Sequence, residues 1–383
     1  MLGVVRRLIL AGRTPYLGFV ATRGYVPTNF EPTFTTWMTR SYHVARVPIT
    51  SLRIAVPNFY VNTANQTETG TGGTTTITAS VEYPSTVMKQ IRFNGAASTT
   101  IASGTFVVSD PVAVQIPDNT AFWIRMYMPN ASGQVYDGFG KAGLVANGDV
   151  CNNFDGDKTL SGTVSSQFAG FMTAPFAIIG YTTEPSFLCT GTSRVHGVSD
   201  TQDSSGDMGI ICRSIGPSYG YVNAGVNSDT VSGFVASHTN RVAIADYCSH
   251  VIAEGPTNDD ISVPATYQGN LQSMWGYFKG KGKKVYAVTC DPVTTGAWTL
   301  ANQTDQTVSR NYESSVNPYL RANPGPLSGV FDITRVTATG VANKWLADGT
   351  VAKYTDDGIH ETQFTNLAIQ TAKVIDPTVF RVP

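Results

Sequence analysis

The apolar residues of this chain change their period near residue 183, and that change narrows the folds open to it. From about Tyr42 to Tyr181 they alternate with polar residues in short runs, such as Ser51-Leu52-Arg53-Ile54-Ala55-Val56 and Thr74-Thr75-Thr76-Ile77-Thr78-Ala79-Ser80-Val81-Glu82-Tyr83. Further period-two runs span Val87 to Phe93, Thr105 to Val108, Val112 to Ile116 and Ala121 to Tyr127. None holds a helical period for long, so the pattern predicts many short strands, a β-sandwich or jelly roll over 41–182. Residues 1–40 read as an N-terminal extension, and Thr63 to Gly73 as an exposed loop.

Beyond Thr182 to Pro185, strand-like runs alternate with segments of helical period. Strands are predicted at Ser186 to Thr190, Gly220 to Ala224, His250 to Glu254, Lys284 to Thr289 and Gly329 to Ile333. Helices are predicted at Thr230 to Asn240, Ala265 to Lys279, Val308 to Arg321 and Glu361 to Val374. That order is the one a parallel α/β sheet produces, and such sheets bind ligands beyond the carboxyl ends of their strands. A length of 383 residues accommodates both domains, each with its own core.

Charged residues make up 14% of the chain and the net charge is −1, which argues against a nucleic-acid partner. The cysteines, Cys151, Cys189, Cys212, Cys248 and Cys290, lack zinc-binding spacing and read as buried thiols. Arg6 and Arg7 precede an apolar run, Leu8 to Ala11, that Arg13 and Pro15 cut too short for a signal peptide. No stretch is long and apolar enough for a membrane span, and a secreted or surface-associated setting is favoured. Asp155-Gly156-Asp157 lacks the full ligand pattern of a calcium loop, and Gly280-Lys281-Gly282-Lys283 lacks a phosphate-loop arrangement. Neither a metal nor a cofactor is expected.

Four motifs carry chemistry. Phe187-Leu188-Cys189-Thr190-Gly191-Thr192-Ser193 is an apolar strand ending in a turn that exposes a serine hydroxyl at the sheet rim. Asn223-Ala224-Gly225-Val226-Asn227-Ser228-Asp229-Thr230 leads from a strand into a helix, whose first N–H groups point outward and suit a developing oxyanion; capping by Ser228 or Asp229 is the plainer reading. Glu254-Gly255-Pro256-Thr257-Asn258-Asp259 closes another strand and holds an amide side chain, a neutral and directional donor. Asp357-Gly358-Ile359-His360 sets a carboxylate three residues before an imidazole, close enough to fix its tautomer; none of the other four histidines has such a neighbour.

In this order the four motifs resemble the blocks of the SGNH (GDSL) hydrolase superfamily, over residues 186 to 376. The resemblance implies a flavodoxin-like three-layer α/β/α domain over 183–383 with a parallel sheet. It implies Ser193 as nucleophile, His360 as general base and then acid, and Asp357 as the residue that orients His360. The oxyanion hole becomes the backbone N–H groups of Ser193 and Ser228 with the Asn258 amide. Three positions depart from the family pattern: Thr192 replaces the usual Asp, Ser228 a usual Gly, and Pro256 a frequent Gly. The Thr192 exchange removes a hydrogen bond that normally braces the turn, unless another group supplies it.

The substrate implied is an acylated small molecule or polysaccharide. A carbohydrate O-acetylesterase leads, with a sandwich whose exposed aromatics Phe59, Tyr60, Trp123, Tyr127 and Tyr136 stack on sugars. A general carboxylesterase or lipase-like acyl hydrolase is one alternative. A non-catalytic surface or carbohydrate-recognition protein on the same scaffold is the other. The oligomeric state is left open.

Overall fold

The computed structural model describes residues 13–129, 133–136, 143–166, 172–255, 257–295, 298–304, 310–339 and 343–381. Pro256, the run Leu8 to Ala11 and the start of the helix predicted at Val308 lie outside them.

Two antiparallel sheets occupy most of the N-terminal half. One runs Tyr16–Phe19, Ala177–Thr182, Ile49–Pro57 and Phe106–Val108, with Val112–Ile116 also paired to Ile49–Pro57. The other runs Ser98–Ile101, Thr75–Glu82, Ala121–Met128, Trp37–Val44 and Val150–Asn152, with Met88–Ile91 beside Thr75–Glu82. Period two explains how they pack: Leu52, Ile54 and Val56 face Ile77, Ala79, Val81, Phe122, Ile124 and Met126 in one buried cluster. Ala55, Ala177 and Ile179 point to the opposite face and join the core of the C-terminal half.

The third large sheet runs Gly24–Tyr25, Tyr221–Gly225, Phe187–Gly191, His250–Glu254, Lys284–Val288 and Gly329–Phe331, and every pairing in it is parallel. Its strands bury both faces. Leu188, Val222, Val251 and Val285 pack with the helix Pro264–Gly280, whose Tyr267, Leu271, Met274, Trp275 and Phe278 recur at helical spacing. Phe187, Cys189, Tyr221 and Ile252 pack on the other side with Ile215, Ile369 and Phe380. After Phe187–Gly191 the chain adds a strand on one side and then crosses to the other, so the strand order reverses at its carboxyl end.

Several sequence expectations need correcting. Within the expected extension, residues 13–40 contribute strands to the sheets: Tyr16–Phe19 pairs in an antiparallel sheet, and Gly24–Tyr25 pairs with Tyr221–Gly225. Strands of four and two residues are too short for a periodic signal. The loop at Thr63 to Gly73 contains the strand Thr67–Gly70, which pairs with Phe59–Asn62. The helix at Thr230 to Asn240 is two short helices, Val231–Ala236 and Thr239–Ala243. Its cap is Thr230, not Ser228 or Asp229, because the Thr230 hydroxyl accepts from Gly233 N–H at 2.9 Å. Phe59 is fully buried, whereas Tyr60, Trp123, Tyr127 and Tyr136 are half-buried. All five cysteines are buried, and none is in a disulfide.

Candidate active site

The strand Phe187–Gly191 ends against a neighbour that leaves no room for a side chain. A Cβ on Gly191 would lie 2.6 Å from both the Glu254 carboxylate and Val195 Cγ2, so only glycine lets the turn close. Thr192 then caps the short helix Ser193–His196 by accepting from Arg194 N–H at 3.4 Å. Thr190 pairs with Ala253, which puts Glu254 beside the turn. Thr192 donates to the Glu254 carboxylate twice, from its N–H at 2.8 Å and its hydroxyl at 2.9 Å. Glu254, from the adjacent strand, therefore braces the turn at Thr192.

Ser193, 3% exposed, lies 2.8 Å through its Oγ from His360 Nε2. His360 Nδ1 lies 2.6 Å from Asp357 Oδ2. A carboxylate only accepts, so Nδ1 carries the proton and Nε2 is left to accept from the serine hydroxyl. Asp357 also accepts the N–H groups of Ile359 and His360 at 2.8 Å, which folds the motif back on itself. Gly358 turns the chain at φ +82°, a conformation that side chains oppose. Burial raises the Asp357 carboxyl, but hydrogen bonds from the His360 side chain and backbone outweigh it and bring the pKa down to about 2.

The second and third blocks are tied to this turn and to each other. Val226 N–H donates to Gly191 O at 3.0 Å, and Asn258 Nδ2 donates to Asp229 O at 2.9 Å. Asn223, at the head of the second block, is buried and donates to Val195 O at 2.7 Å, which makes it a brace for the Ser193 helix. Ser228 is exposed at φ +63°, where a glycine would be unstrained, and keeps its backbone N–H. Asp259 adds to the Thr230 cap of the helix Val231–Ala236 by accepting Val231 N–H at 2.7 Å; burial pushes its pKa up to about 6 against that bond.

Sequence reasoning missed the buried charges under the Ser193 turn. Arg194, Glu254, Asp291 and Glu361 are each at most 1% exposed. In a chain with few charges, an acid closing a buried apolar strand and another directly after the Asp-x-x-His motif are the signals that point to them. The Asp155-Gly156-Asp157 turn is braced from within, with Asp155 bound to Lys158 at 2.6 Å and Asp157 to Thr159 N–H at 2.8 Å. No cluster with metal-binding geometry occurs among the described residues. No helix among them is long and apolar enough to cross a membrane.

A hydroxyl, an imidazole and a carboxylate bonded in a row can deprotonate the hydroxyl as it attacks and hold the resulting cation. No known family profile matches the chain, and no curated protein matches it. Solved structures do. A GDSL-like lipase from Bacteroides thetaiotaomicron is 16% identical with a TM-score of 0.38, over 51% of this chain and 87% of that one. Est24, a carbohydrate acetylesterase from Sinorhizobium meliloti, and an aryl esterase of M. smegmatis are each 16% identical with a TM-score of 0.35, over 51% of this chain and 99% of theirs.

Proposed function

We propose that this chain is a serine ester hydrolase of the SGNH type, with Ser193, His360 and Asp357 as its catalytic residues. The observation that carries the reading is the unbroken row Ser193 Oγ, His360 Nε2, His360 Nδ1 and Asp357 Oδ2, at 2.8 and 2.6 Å. It lies at the carboxyl end of the strand where the sheet order reverses. Ser193 Oγ bonds to the ester carbonyl carbon while its proton passes to His360 Nε2. The oxyanion is held by the N–H groups of Ser193 and Ser228 and by the Asn258 amide. His360 returns the proton to the departing alcohol. Water then attacks the acyl-enzyme by the same route and frees Ser193.

The substrate class is an acylated small molecule or polysaccharide, and carbohydrate O-acetyl esters fit first. Ser193 is 3% exposed beside a His360 side chain that is 15% exposed, so a serine expected to stand open at the rim is nearly covered, which suits a small acyl group. In the finer fold reading, a jelly-roll sandwich precedes a flavodoxin-like three-layer domain, with the boundary near Thr182 to Pro185. The test is hydrolysis of p-nitrophenyl acetate and of acetylated polysaccharide by parent protein and Ser193→Ala. The variant should lose on the order of 10⁴-fold or more in turnover. Equal rates for the two end the proposal.

A further inference from the structure

Ser193 and His360 are each followed by a buried residue of opposite charge, Arg194 and Glu361. The two dipeptides are joined twice. The hydroxyl and imidazole meet at 2.8 Å, and Arg194 Nε lies 3.5 Å from Glu361 Oε1. The same guanidinium donates to Pro292 O at 3.1 Å, lies 3.8 Å from Asp291 and sits 5.7 Å from the centre of the Trp345 ring. Trp345 donates to Gly358 O at 2.9 Å, inside the turn that joins Asp357 to His360. Glu254 grips the turn on the other side of Ser193 through Thr192.

We propose that Arg194 and Glu361 are positioning residues that set the separation of Ser193 and His360, with Trp345 and Glu254 carrying that constraint to the two turns. The inference rests on the hydrolase reading above. Its physical basis is the cost of the arrangement. One buried cation faces three buried acids, and burying ions costs several times what a surface pair returns. Burial pushes the Glu361 and Glu254 carboxyls up; Arg194 opposes that shift in both, and the bond from Glu361 to Asp291 adds to it in Glu361. A cluster so loosely paired is a poor device for stability alone. What it does is set the residue after the nucleophile against the residue after the base, at 3.5 Å. Displacing either by a fraction of an ångström lengthens the one hydrogen bond through which the proton moves.

The test measures kcat, KM and the pH profile for p-nitrophenyl acetate, and the rate of fluorophosphonate labelling, on the full chain. Arg194→Met should lower kcat and the labelling rate together by about 10–10²-fold with KM unchanged, and Arg194→Lys should restore part of the loss. The pH profile should shift as the base loses its fixed geometry. Should Arg194→Met fail to fold, Trp345→Phe decides, because it removes the bond to Gly358 while keeping an aromatic ring in the core, and it should cost kcat in the same way. If kcat, labelling and pH profile of the folded variants match the parent, the inference is overturned. An active parent and an inactive Ser193→Ala confine that failure to the positioning role. If the parent is neither active nor labelled, the hydrolase reading fails and the positioning role falls with it.

Discussion

Besides the bond between the chain neighbours Ser249 and His250, the described residues hold two serine–histidine hydrogen bonds that use the Nε2 atom of the ring and are nearly equal in length. In the antiparallel half, Ser41 Oγ lies 2.9 Å from His43 Nε2; at the parallel sheet, Ser193 Oγ lies 2.8 Å from His360 Nε2. The difference is on the far side of each ring. His43 Nδ1 meets the carbonyl of Thr22 at 2.9 Å, whereas His360 Nδ1 meets the carboxylate of Asp357 at 2.6 Å. A carbonyl fixes the tautomer but does little for a positive ring; a carboxylate does both. His43 is fully buried and stacked on Phe122, and burial pushes its pKa down to about 4. His360 keeps 15% of its side chain exposed. Proximity alone therefore does not distinguish the two pairs; the orienting anion and the partly exposed imidazole do.

That contrast can be broken or sharpened by experiment. The largest effect is expected from Asp357→Asn, which leaves His360 with a neutral partner as His43 has; turnover should fall by about 10⁴-fold. In the parent, Asp357 stays ionised down to about pH 2. Its folded pKa lies below the ordinary carboxylate value, so its contribution to stability is present above that value and is lost as pH falls through about 2. A thermal-melt series against pH in parent and Asp357→Asn checks this: the difference between them should persist at pH 4 and disappear near pH 2. Next, Asn258→Ala should cost roughly 10²–10³-fold in kcat if its amide holds the oxyanion. Full rate in that variant would remove the third block from the site.

The smallest effect separates the two pairs. Ser41→Ala leaves His43 Nε2 without its partner in the core, which should cost about 1–3 kcal/mol of stability while kcat/KM stays unchanged. Denaturant unfolding and steady-state rates on the same preparation check both halves of that expectation. A collapse of activity with no loss of stability would reverse the roles assigned to the two pairs.

How much of this was legible beforehand follows from the length of each signal. The parallel strands read well because Phe187–Gly191 and His250–Glu254 are continuous apolar runs that stop at turn residues. The Asp357 and His360 motif was legible because it is local, with both partners three residues apart. Glu254 was not, since its bond to Thr192 spans 62 positions and depends on strand register. Gly24–Tyr25 was missed for the same reason: a two-residue strand gains its place only from Tyr221–Gly225. The aromatics named as sugar-binding faces show the limit of composition. Phe59 is core, and Trp123 is covered by the Arg40 guanidinium, 4.1 Å from the ring centre.

The central claim is that an acyl group passes through one hydroxyl. Acid quenching of the protein during turnover of p-nitrophenyl acetate, followed by peptide mass mapping, tests it most directly. A single acetyl group should appear on the peptide bearing Ser193, and none in Ser193→Ala. Sustained turnover with that serine unmodified, or with the acetyl group on another residue, would contradict the account.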